Sequence, residues 1–393
     1  MATELESVGA GQSRFTLDGS PALERHLQRV CTQVAEGVAA VVSPGSLEGV
    51  LLGGGYGRGE GGVLRTPTGD EPYNDLEFYV FTRGNAVLAE RRYRGKLHAL
   101  GHALTPMAGI EVEFKVLTFS KLRGAGPSMF YYDLLAGHRW VVGEESLLAG
   151  CEHHREAGAI PLHEATRLLM NRCSGLLFSR ERLERANFGP EEADFVGRNL
   201  AKVQLALGDA WLAAGGRYHW SCRERQQRLE AAPGTAAEAD WLAAVRRHHT
   251  AGVEFKLHPV RANAGREELA ARHAELSRLA REFWLALESR RLGTPFGSPR
   301  AYAESAVDKC PETSPWRNRL VNARAFGAGA AWGPRASRYP RERLLHALAL
   351  LLWEPGVLAE AGGRRLLQQE LHTEAADFSG LVAAYEQLWQ RFN

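Results

Sequence analysis

Seven of the ten residues from Gly53 to Gly62 are glycine. Such a run cannot sit inside a regular helix or strand, where each glycine costs about 0.5–1 kcal/mol of backbone entropy relative to alanine. It marks a place where the chain turns sharply or lets its backbone approach something closely. The flanks narrow the fold further. Before the run lies a short apolar segment, Gly49-Val-Leu-Leu52. After it, across a Thr66-Pro-Thr-Gly-Asp-Glu-Pro72 loop, lies Asp75-Leu-Glu-Phe-Tyr-Val-Phe81. That second segment starts by alternating and ends as an apolar run, the pattern of a strand buried at one end. The unit reads as strand, glycine turn, strand.

Its surroundings predict an α/β domain. Leu23, Leu27, Val30, Val34, Val38 and Val41 recur at helical spacing behind Pro21, and Pro44-Gly45 stops that helix. A helix over 86–104 precedes a third strand, Ile110–Leu117, which alternates almost throughout. A helix over 128–136 and a short strand, His138–Val142, follow. Past residue 160 helical periods dominate, over 161–185, 190–214, 236–250 and 265–291. Gly293–Arg300 reads as a linker, and helical segments return at 341–353 and 363–391. The expected organisation is a loose tail (1–20), an α/β catalytic domain (21–150), an all-α domain (151–292) and a helical C-terminal extension (300–393).

Composition removes several classes of function. Forty-eight basic residues against 46 acidic ones leave a net charge of +2, which argues against a dedicated duplex-DNA binder. Cys31, Cys151, Cys173, Cys222 and Cys310 are far apart and form no Cys-x-x-Cys pair, so neither a zinc knuckle nor a disulfide framework is expected. The acidic, polar N-terminus is no secretory signal. The most apolar run, Leu344–Trp353, is roughly half the length a bilayer needs. A cytoplasmic protein without a membrane partner is the expectation.

The chemistry is expected where acids alternate. In a strand, residues i and i+2 face the same side, so Asp75 points with Glu77, and Glu111 points with Glu113. If the two strands are neighbours, three or four carboxylates converge on one patch, a costly arrangement unless a cation neutralises it. Mg²⁺ takes carboxylate and phosphate oxygens as ligands. The backbone N–H groups of the glycine turn can cradle phosphate oxygens, and Arg58 within it adds a charged donor.

These residues carry a resemblance. Gly57-Arg58 followed by Pro72-Tyr73-Asn74-Asp75-Leu76-Glu77, with Glu111-Val112-Glu113-Phe114 on a later strand, resembles the nucleotidyltransferase superfamily related to DNA polymerase β. In look it is nearest to the kanamycin/aminoglycoside nucleotidyltransferases. The resemblance covers about residues 47–117, and the helical half only in style. It implies an α/β nucleotidyltransferase-fold domain with a mixed sheet, and one or two Mg²⁺ ions held by Asp75, Glu77 and Glu111 or Glu113, with Glu111 the better match to the third acid. It implies ATP or another NTP on Gly54, Gly55, Tyr56, Gly57, Arg58 and Gly59, and transfer of the nucleoside monophosphate to a hydroxyl of a small-molecule acceptor. A lysine on a helix of the second domain, here Lys202, is implied against the triphosphate; a surface lysine laid along its helix is the other reading. The family's Gly-Ser is Gly54-Gly55 or Gly55-Tyr56 in this chain, which removes a serine contact. Two rivals share the fold: a transferase acting on a protein or tRNA, and a nucleotide-binding regulator without turnover.

Other motifs carry less. Gly57-x-Gly59-x-x-Gly62 has the dinucleotide spacing, but that motif opens a helix, and Val63-Leu-Arg-Thr-Pro-Thr-Gly69 cannot be one. His98 and His102 stand at i and i+4 without the glutamate of a zinc-protease helix. Trp211, Tyr218 and Trp220 suit helix packing better than an acceptor pocket.

Overall fold

The computed structural model describes residues 14–234, 239–261, 264–333 and 335–393. The chain begins its first helix, α1 (Pro21–Val41), under the Ser20 cap, whose hydroxyl accepts the Leu23 N–H, and its apolar stripe from Leu23 to Val38 is buried. Then come β1 (Leu47–Leu52), the short α2 (Gly54–Gly57), β2 (Gly62–Thr66), β3 (Gly69–Tyr73) and β4 (Asp75–Thr82). After these lie α3 (Ala86–Ala108), β5 (Glu111–Leu117), α4 (Phe119–Gly124), α5 (Met129–Ala136) and β6 (Arg139–Val142). Beyond β6 the described chain is helical: α6 (Leu162–Glu184), α7 (Pro190–Ala214), α8 (Cys222–Ala231), α9 (Ala239–Leu257) and α10 (Arg266–Leu292). It ends with α11 (Pro299–Glu304), α12 (Pro315–Phe326), α13 (Arg341–Trp353), α14 (Ala361–Leu371) and α15 (Phe378–Phe392).

Two compact units result. The first runs to Pro161 and also takes Gly215–Ala232 and Val253–Val260; the second holds Leu162–Ala214, Pro233–Gly252 and Arg261–Asn393. The C-terminal helices thus belong to the same unit as α6 and α7.

The first unit is built on a mixed four-stranded sheet, ordered β5-β4-β1-β6. β4 pairs in parallel with β5 and antiparallel with β1, which pairs antiparallel with β6. Alternation along β4 divides the core. Leu76, Phe78 and Val80 face the apolar stripes of α1 and α3. Tyr79 and Phe81 face the opposite layer with Phe119, Leu122, Leu134 and Leu135, and the Phe81 and Phe119 rings stack at 4.2 Å. At the start of β4 that second face carries Asp75 and Glu77 instead of apolar groups, so the hydrophobic layer stops short there.

Three sequence expectations need correction. Residues 14–20 are not a loose tail: Phe15 and Thr16 are buried, and their N–H groups donate to the Glu24 carboxylate at 2.7 and 3.1 Å. Residues 1–13 of that tail lie outside the described residues. The stretch read as a loop after the glycines is a hairpin, with Gly62–Thr66 paired against Gly69–Tyr73. Its outer half, Gly-Asp-Glu-Pro-Tyr, shows no apolar alternation, and the Tyr56 hydroxyl ties the open end together. That oxygen donates to Gly62 O at 2.8 Å and accepts from Tyr73 N–H at 2.7 Å. The single segment 363–391 is two helices, broken where His372 takes a positive φ of 50° and Asp377 caps the next. Among the described residues no helix is long and apolar enough to cross a membrane.

In the second unit α6 and α7 form an apolar pair, with α10 and α13 packed on α6. One buried carboxylate there is well partnered: Glu288 accepts from Thr166, Tyr302 and Arg291 at 2.6–2.8 Å.

Candidate functional site

The parallel pairing of β4 and β5 sets Asp75 opposite Glu111 and Glu77 opposite Glu113, so all four acids fall on one sheet face. They do not all meet. Asp75, Glu77 and Glu113 each offer a carboxylate oxygen within 4.8 Å of the others, and among the described residues this is the one such group. Glu111 opens β5 and is exposed. With Glu113 and Lys115 it lines a groove of about 420 Å³ between β5 and α3, which Arg94, His98 and His102 also line. The His98 and His102 rings touch edge to face at 4.5 Å.

A cation already stands among the acids. Lys115, two residues beyond Glu113 on the same strand face, places Nζ 3.0 Å from Glu77 Oε1 and 3.9 Å from Glu113 Oε2. It also lies 5.6 Å from the centre of the Tyr79 ring. Burial pulls against its charge, but Glu77, then Glu113 and Asp75, outweigh that and hold the ammonium above its ordinary pKa. Asn74 precedes the acids with φ 83°, a left-handed conformation that asparagine tolerates better than most residues. Its amide donates to Asp75 Oδ1.

The glycine turn abuts this cluster. The Gly53 N–H donates to Glu77 O at 2.9 Å, which fixes the end of β1 beside the start of β4. Gly54 has φ +61°, and a Cβ there would stand 3.0 Å from Glu77 Oε2. A Cβ at Gly57 would lie 2.2 Å from the Leu52 carbonyl oxygen, so glycine is a steric requirement. Gly54, Gly55 and Tyr56 open α2, and their N–H groups have no intrahelical acceptor. Gly59, with φ 75°, leads the chain out toward β2.

Arg58 does not extend from this turn. It is buried and pairs with Asp133 at 2.9 Å, whose same oxygen accepts from the Tyr218 hydroxyl at 3.1 Å. Burial works against its charge, and Asp133 chiefly restores it, so its pKa is raised. Tyr56 is likewise buried in the hairpin. Lys202 lies on the exposed side of α7 in the second unit.

Several residues near the turn gave no usable sequence signal. Glu60 is buried and accepts from the Ser221 hydroxyl at 2.5 Å and the Cys222 N–H at 2.9 Å. Burial raises its pKa, but these bonds, with Lys256 and Arg225, bring it below the ordinary carboxylate value. Lys256, near the end of α9, has its pKa lowered by burial and by the neighbouring Arg58 and Arg225. Asp133, Glu60, Arg225 and Lys256 come from four separate segments, and no spacing rule links them. Lys115 was within reach of such a rule, since the alternation that groups Glu111 with Glu113 continues to residue 115.

The donors are therefore of two kinds: hard carboxylate oxygens on β4 and β5, and backbone N–H groups with nearby positive charge at the turn. The first suits a divalent cation and the second an anion. No protein-family model matches the chain, and searches of curated proteins and of solved structures find no match either.

Proposed function

We propose that the protein is an Mg²⁺-dependent nucleotidyltransferase that moves a nucleoside monophosphate, from ATP in the first instance, to a hydroxyl of a small-molecule acceptor. One observation carries the reading: carboxylates of Asp75, Glu77 and Glu113 converge within 4.8 Å beside a glycine turn.

The donor set fits the ion. The candidate ligand atoms are carboxylate oxygens, and the Lys115 ammonium pairs with two of the three carboxylates. Asp75 and Glu77 would hold the ion. Bound there, Mg²⁺ neutralises charge on the phosphate oxygens during transfer. The N–H groups of Gly54, Gly55 and Tyr56 bind the oxygens of the triphosphate tail. Arg58 acts through Asp133 as a positioning residue for the turn, and Lys256 with Arg225 adds positive potential. Glu113 is more exposed than Glu77 (41% against 27%) and takes the proton of the acceptor hydroxyl. The oxygen then bonds to the α-phosphorus as the bond to the bridging oxygen breaks, and pyrophosphate leaves with that electron pair. Catalysis in this scheme is chiefly positioning and electrostatics. Lys202 and Glu111 have no part in it.

The Lys115–Glu77 contact favours one rival, a nucleotide-binding regulator that uses no metal. Calorimetry with a non-hydrolysable ATP analogue separates the two. Binding that requires Mg²⁺ and weakens at least tenfold in Asp75→Asn is expected of the transferase, with turnover lost by about 10²–10³-fold or more. Equal binding in EDTA supports the regulator; no binding of any NTP removes the proposal.

A further inference from the structure

We propose that Lys115 is a built-in competitor for the divalent cation: its ammonium occupies the carboxylates that the ion needs, and metal entry requires it to swing away. This rests on reading the cluster as a cation site.

The geometry carries the argument. Nζ sits 3.0 Å from Glu77 Oε1 and 3.9 Å from Glu113 Oε2, two of the three acids that converge. A divalent ion bound to Glu77 and Asp75 would face this ammonium across a few ångströms, and like charges at such separation repel strongly. Both cannot hold the same oxygen lone pairs. The side chain is able to leave: it is 47% exposed, and among the described residues its ammonium has no ion-pair partner besides these two glutamates. Its neighbour on the other side is the flat Tyr79 ring, which leaves the stem a surface to slide along. The Asn74 amide holds Asp75 Oδ1, and the half-exposed lysine is the side chain with room to move.

The consequence is selective. A bare metal ion must displace a bound charge and leave the ammonium without an anion. A metal that arrives with phosphates brings a new anionic partner for that ammonium. Metal and triphosphate therefore favour each other's binding, and the coupling is reciprocal. Until such a ligand comes, the ammonium offsets part of the charge of the cluster.

The test measures Mn²⁺ alone, by the loss of its free-ion resonance signal, on the full chain and three variants. Lys115→Met keeps the stem and removes the charge; it is expected to bind Mn²⁺ at least tenfold more tightly than the unaltered protein. Lys115→Arg restores the charge and is expected to return affinity to within about threefold of the original, which a merely packing role would not do. Glu77→Gln placed on Lys115→Met is expected to abolish the gain. Lys115→Met binding no more tightly than the unaltered protein, while that protein does bind, overturns the competition and leaves the cation site standing. Failure of every variant to bind Mn²⁺ at millimolar concentration overturns both. Circular dichroism of each variant confirms that the comparison is between folded proteins.

Discussion

Gly54 and Gly57, three residues apart in the turn, fail for different reasons when a methyl is added. At Gly57 the new Cβ would lie 2.2 Å from backbone, the Leu52 carbonyl oxygen, which cannot step aside without moving β1. Gly57→Ala is expected to cost about 2–4 kcal/mol in urea unfolding. At Gly54 the obstacle is the far end of the Glu77 side chain at 3.0 Å, with a φ of +61°. Gly54→Ala is expected to lose only about 1–2 kcal/mol yet to weaken Mn²⁺ binding at least fivefold by displacing that carboxylate. If both variants lose stability alike and Gly54→Ala binds Mn²⁺ normally, the turn is not coupled to the acids.

Among the elements, α8 depends on the turn. Its first residues are held by Glu60, through the Ser221 hydroxyl and the Cys222 N–H. A carboxylate whose folded pKa lies below its unfolded value stabilises the fold above that unfolded value, and the contribution fades as pH falls through the folded one. Glu60→Gln is expected to cost about 1–2 kcal/mol at pH 7, and the gap from the unaltered protein to narrow in urea melts as pH drops below about 4.5, the ordinary value for a glutamate. An unchanged gap at low pH would mean that Glu60 contributes no charge-dependent stability. Strand β4 was legible because Leu76, Phe78 and Val80 alternate with Asp75, Glu77 and Tyr79. That Glu113 and not Glu111 groups with Asp75 and Glu77 was not, because the register sets both opposite an acid of β4 and only the placement of the side chains separates them. The hairpin β2–β3 was hidden because main-chain bonds and one tyrosine hydroxyl hold it, not apolar alternation. The pairing of Arg58 was hidden because its partner, Asp133, is 75 positions away by number and no spacing rule links the two.

For the whole molecule, buried histidines set the response to mild acid. Burial holds His154, His273 and His346 below the usual imidazole value of about 6.5, so each stays neutral in the fold while the unfolded chain takes up a proton. Stability is then complete above pH 6.5 and drains away as pH falls below it. The urea midpoint is expected to be lower at pH 5.5 than at pH 7.5, before Glu60 or Glu145 titrates; Glu145 is held down to about 2, chiefly by its bond to His138. A midpoint constant over that range would contradict the burial of these rings. The two units are also interleaved along the chain, since the first takes segments 215–232 and 253–260 after the second has begun. On the ribosome, the Glu60 carboxylate emerges long before Ser221 and Cys222 exist to accompany it. The first unit, although it starts at the N-terminal side, cannot close until residue 260 has left the exit tunnel. At about 5–20 residues per second, the 200 residues from Glu60 to residue 260 are a wait on the order of 10–40 s, during which the acidic strands and glycine turn are present but unfinished.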